Sequence, residues 1–73
     1  MVQYYGYATG RKEGHFGLNY NIKGIIAFTD KKDAEEELKS VLDNSRGLEG
    51  VVIDLTPLVQ QEFILKEKLH LID

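Results

Sequence analysis

Val2-Gln3-Tyr4-Tyr5-Gly6-Tyr7-Ala8-Thr9 and His15-Phe16-Gly17-Leu18-Asn19-Tyr20-Asn21-Ile22 are the two stretches that decide how this chain folds. The first is aromatic and β-branched, the composition of a strand. The second alternates strictly, with Phe16, Leu18, Tyr20 and Ile22 on one face and His15, Gly17, Asn19 and Asn21 on the other, the period of a half-buried strand. Between them, Gly10-Arg11-Lys12-Glu13-Gly14 is a glycine-bounded loop that suits an antiparallel hairpin. Setting Thr9 opposite His15 aligns Ala8 with Phe16, Gly6 with Leu18, Tyr4 with Tyr20 and Val2 with Ile22 as one apolar face. Tyr7 then lies opposite Gly17, Tyr5 opposite Asn19 and Gln3 opposite Asn21 on the other face. A slip of one residue would put the two apolar sets on opposite faces.

Working outward, Lys23-Gly24 reads as a turn and Ile25 to Thr29 as a third, central strand. Thr29 or Asp30 then caps a helix, with Asp33 and Glu35 near the positive end of the helix dipole. Ala34, Leu38, Val41 and Leu42 recur at helical spacing, and Asn44-Ser45-Arg46-Gly47 ends the helix with a glycine able to adopt positive φ. Residues 50–55 read as a fourth strand. Thr56-Pro57 looks like a cap followed by proline at the first helical position. Over 62–72 the alternation of Phe63, Leu65, Leu69 and Leu71 favours a strand after a short turn at 56–61, with one long helix as the alternative. The expected architecture is α+β: a small two-layer domain spanning 1–73, a mostly antiparallel sheet in β-β-β-α-β-β order, with one helix packed on one face.

With 73 residues, 42% hydrophobic and 29% charged, the chain has the composition of a single globular domain. It has no cysteine, so disulfides, thiolate metal sites and Cys nucleophiles are excluded. The longest apolar run is Ile25-Ile26-Ala27-Phe28, too short to span a membrane, and the expected location is the cytoplasm. A core this small rarely supplies more than about 3–5 kcal/mol, which makes self-association, with a homodimer the simplest case, an expectation. The charge is split. Residues 1–29 carry a net +2 and residues 30–73 a net −5, with all four tyrosines in the first 24 positions.

Catalytic signatures are missing. Ser40 and Ser45 lie in and at the end of the helix, away from any nucleophile-elbow pattern. His15 and His70 sit in separate strands, which leaves no metal or cofactor site to name. Gly10 to Gly17 matches neither phosphate-binding fingerprint, since no helix follows it. Asp30, Asp33, Glu35, Glu36 and Glu37 at the helix start are most simply a solvated face that complements the dipole, with an acidic patch that imitates nucleic-acid phosphates or docks on a basic partner as the alternative.

What remains is a surface. If the helix covers the apolar face of the hairpin, then Tyr5, Tyr7, His15, Asn19 and Asn21 face outward, with Arg11 and Lys12 at the tip. Tyrosine and arginine are hot-spot residues. The expected function is therefore a non-catalytic protein-interaction module that self-associates and binds a larger protein stoichiometrically. It would act as an inhibitor or adaptor of the kind phages and mobile elements encode. The alternatives are single-stranded nucleic-acid or nucleotide binding through the tyrosines, and an enzyme whose cleft forms only at an oligomer interface.

Overall fold

The computed structural model describes residues 2–72. Its elements are β1 (Tyr5–Arg11), β2 (Gly17–Leu18), β3 (Tyr20–Asn21), β4 (Gly24–Ala27), α1 (Lys31–Asp43), β5 (Leu48–Asp54), α2 (Thr56–Gln60), a 3₁₀ turn at Lys66–Lys68 and β6 (Leu69–Leu71). The architecture is α+β, mostly antiparallel, with one substantial helix packed against strands. The strands form two three-stranded sheets, ordered β2-β1-β5 and β3-β4-β6. They are joined where Tyr5 and Phe28 exchange two backbone hydrogen bonds of 2.7 Å.

The second alternating stretch serves both sheets. At Asn19 the chain passes from one partner to the next: its N–H donates to Tyr7 O (3.1 Å) and its carbonyl accepts from Ile26 N–H (2.9 Å). Thr9 Oγ1 donates to the Asn19 side-chain oxygen at 2.9 Å, which holds the junction. The hairpin register is Ala8 opposite Leu18 and Thr9 opposite Gly17, two residues away from the expected alignment. A slip of two preserves the faces, because side chains alternate with period two. It sets Phe16 over Gly10, where the ring lies so close that a Cβ on Gly10 would stand 2.7 Å from Phe16 Cδ1. An aromatic thus still covers a strand glycine, though not the pair expected.

The helix packs on the face opposite to the one expected. Tyr7, Phe28, Ala34 and Leu38 form one core, with Tyr5, Ile26, Val41, Leu42 and Val52 against it. Tyr7 is 2% exposed. The other face holds a second core of Tyr4, Ala27, Leu55 and Ile64, closed by Leu58, Val59 and Leu69 from the C-terminal segment. Burial on both sides removes the open tyrosine face that the sequence suggested. Conversely Val2, Phe16, Tyr20 and Ile22, expected inside, are exposed. Hydrophobic alternation fixes which residues share a face, but not what lies over it.

The Asp30 cap is as expected: its Oδ1 accepts from Lys32 N–H at 2.9 Å. Gly47 has φ +73°, the left-handed turn after the helix. The cap of α2 differs by one residue. Thr56 lies inside the helix, and its buried hydroxyl accepts the Tyr4 N–H at 2.8 Å, while Asp54 Oδ1 takes the Thr56 N–H at 2.9 Å. The expected strand over 62–72 shrinks to β6, which pairs parallel to β4. Its alternating Phe63, Leu65 and Leu71 are exposed, and Ile64, off that pattern, is the buried one. The α2 terminus, with Glu62 at φ 61°, and the 3₁₀ turn break the extended run that the alternation implied.

Candidate interaction surface

Most of the residues expected to form a binding face are instead tied into the fold. Tyr7 is buried under α1. Desolvation raises its pKa above the ordinary 10.0, the nearby Glu37 carboxylate raises it further, and a hydrogen bond with the Asn19 side chain partly opposes them. Tyr5 is half-buried, and its hydroxyl donates to Gln3 Oε1 at 2.7 Å. Arg11 donates from Nη1 to the Arg46 carbonyl at 3.1 Å, bracing the turn after α1. Asn19 is the sheet junction. Asn21 accepts the Lys23 N–H at 2.8 Å through its Oδ1 and meets His70 Nδ1 at 2.9 Å through its Nδ2. Lys12 and His15 alone stand exposed at the hairpin tip without such ties. The seven residues are not gathered into one surface.

The raised Tyr7 pKa has a measurable consequence. In the unfolded chain the phenol ionises near pH 10, whereas the folded chain holds it neutral to higher pH. Between those two values the unfolded state has lost a proton that the folded state keeps. Stability is therefore full below pH 10, falls as pH rises through that interval, and levels off above the folded pKa. Tyr7→Phe is expected to flatten this alkaline loss in urea titrations from pH 8 to 11. A wild-type loss left unchanged in Tyr7→Phe would refute the assignment.

A different surface emerges at the β3–β4 turn. Ile22 is 103% exposed and Tyr20 77%. The Asn21 side chain closes the turn onto Lys23 N–H, a local ring that braces the backbone carrying Ile22. Beside it lies a concavity of about 330 Å³ lined by Tyr20 to Ile25 together with Glu67 and Lys68. The C-terminal segment builds the other wall, because Gly24 approaches the Lys68 carbonyl too closely for any side chain. The result is an apolar tip with a rim of both signs: Lys23, Lys68 and Glu67. A second, more enclosed space of about 270 Å³ lies elsewhere, between Val2, Tyr4, Thr56, Val59, Gln60 and Lys66.

The sequence did carry a signal for this tip. Ile22 stands directly before Lys23-Gly24, and a residue in a two-residue turn has no sheet face to enter. Among the described residues, no three His, Asp or Glu side chains are grouped to hold a metal, and no helix is long and apolar enough to cross a membrane.

No family model, curated protein or solved structure matches this chain.

Proposed function

We propose that this chain is a non-catalytic protein-interaction module that self-associates and binds a larger protein stoichiometrically, as an inhibitor or adaptor. The observation that supports it best is Ile22, a large apolar side chain wholly in water on a turn closed by its neighbour's side chain. Holding an isoleucine there gains the fold nothing, since it buries no surface within the chain. The braced turn backbone forfeits little freedom on docking, which favours a specific contact over a diffuse one. The partner suited to it offers an apolar pocket for Ile22 and Tyr20, with an outer ring able to meet Lys23, Glu67 and Lys68. The nucleic-acid alternative loses support, because Tyr7 is buried and Arg11 is engaged with a backbone carbonyl.

Ile22→Asp tests this reading without disturbing the core. A tagged wild-type chain is used to retrieve its partner from the native host, and the purified pair is then titrated. Loss of a central anchor costs about 2 kcal/mol or more, roughly 30-fold in Kd. A variant that folds normally and binds the partner as tightly as wild type would overturn the role of this tip.

A further inference from the structure

We infer that two copies of this chain pair antiparallel through the free edge of β5, making one continuous six-stranded sheet. This deepens the self-associating half of the function proposed above and does not depend on Ile22. β5 is seven residues long and pairs with β1 along its whole length without a bulge, from Tyr5 opposite Asp54 to Arg11 opposite Leu48. Among the described residues its other side has no strand partner.

The hydrogen-bond phase shows which groups are left over. Leu55 N–H donates to Tyr4 O at 2.7 Å, so in an antiparallel ladder Ile53, Val51 and Glu49 also aim their backbone groups at β1. Tyr5 and Tyr7 turn theirs the other way, to Phe28 and Asn19, as that phase requires. The N–H and C=O groups of Leu48, Gly50 and Val52 therefore point outward, and among the described residues nothing pairs with them.

Such an edge templates another strand unless it is blunted by lysine, proline or a bulge. Leu48-Glu49-Gly50-Val51-Val52-Ile53-Asp54 has none of these. A second copy fits it well. Full overlap of the seven residues sets Gly50 against Val52 of the other copy, and Leu48 against Asp54, in hydrogen-bonded pairs. Val51 then meets its own counterpart on the two-fold axis, in a non-hydrogen-bonded pair where side chains approach most closely. Val51 is 51% exposed in one copy, and this pairing covers it. Glu49 falls opposite Ile53, so no like charges face one another. On the opposite sheet face, Leu38 of α1 lies over Gly50.

Because Val51 meets itself, charge reversal tests the register. Wild type is expected to sediment at twice 8.3 kDa at high micromolar concentration. Val51→Lys and Val51→Glu are each expected to weaken dimerisation about ten-fold or more, and an equimolar mixture of the two to restore it. Circular dichroism of each variant establishes that it is folded. Hydrogen exchange on wild type gives an independent reading: the Gly50 and Val52 amides are protected in the concentrated sample and lose protection on dilution, while the Val51 amide keeps it. A monomeric wild type, a dimer indifferent to both charges, or a mixture that stays monomeric overturns the pairing. An Ile22→Asp chain that remains dimeric yet loses its larger partner separates this interface from the other.

Discussion

Gly24→Ala is expected to destabilise the protein by at least about 3 kcal/mol, most of what a chain of this size holds. Two independent constraints act at this position. Its φ of +140° lies where a side chain is strained, at a cost of order 1–3 kcal/mol. The second is contact: a Cβ there would overlap the Lys68 carbonyl, standing 2.8 Å from its carbon. Relief requires the 3₁₀ turn to move away from β4, which pulls β6 from its parallel register and removes Leu69 from the core it closes. The hydrogen bond from Ile72 N–H to Ala27 O goes with it. Urea unfolding followed by circular dichroism measures the loss. Gly17→Ala is the control, since nothing lies within 4 Å of a Cβ added there. Equal midpoints for the two variants would show that the close approach at Gly24 carries no stability.

That close approach illustrates what a sequence shows and what it withholds. The turn was legible to within one residue: glycine marks the place, but the turn itself is Ile22-Lys23 and Gly24 opens β4. Its second duty, making room for the backbone 44 positions later, involves a contact that no local pattern encodes. The helix at Asp30 was legible for the opposite reason: cap, stripe and terminator all lie within one short stretch. The hairpin falls between. Parity was correct, since Ala8 and Leu18 do share a face, but the register moved by two residues. Ala8 meets small or apolar neighbours in either alignment, so local pairing alone does not choose. Phe16 over Gly10, and the handover of Asn19 from β1 to β4, select the one observed.

The side on which the helix packs decides what the hairpin leaves open. With α1 over the greasier face, Tyr5 and Tyr7 would stand outside. A tyrosine is amphipathic, and Tyr7 buries its ring while its hydroxyl keeps the Asn19 side chain as a partner. The greasier face was meanwhile claimed by α2 and Ile64, from the part of the chain whose reading was most ambiguous. With both faces covered inside one protomer, the apolar residues left over collect at an element's end, as Ile22 does, or along an unpaired edge, as Val51 does.

Leu55→Ala is expected to cost about 2–5 kcal/mol, enough to unfold much of the population at room temperature. Leu55 is 0% exposed and is the largest side chain that the fold buries completely. It joins β5 to α2, its N–H donating to Tyr4 O and its carbonyl accepting from Val59 N–H. Its side chain fills the space over Gly6, where an added Cβ would stand 2.8 Å from Leu55 Cδ1. That proximity makes the prediction testable beyond simple loss. Gly6→Ala alone overpacks the site and is expected to cost about 1–3 kcal/mol. In the Leu55→Ala background the Leu55 overlap is gone and only the Ile26 carbonyl oxygen, 3.2 Å away, still presses on the methyl, so Gly6→Ala should cost about 1 kcal/mol less there than in wild type. Additive losses in the four-member cycle, measured by urea unfolding, would mean that Leu55 does not rest on Gly6. A Leu65→Ala comparison, at a side chain 44% exposed, should cost only about 0.5 kcal/mol, which separates removal of apolar area from creation of a cavity.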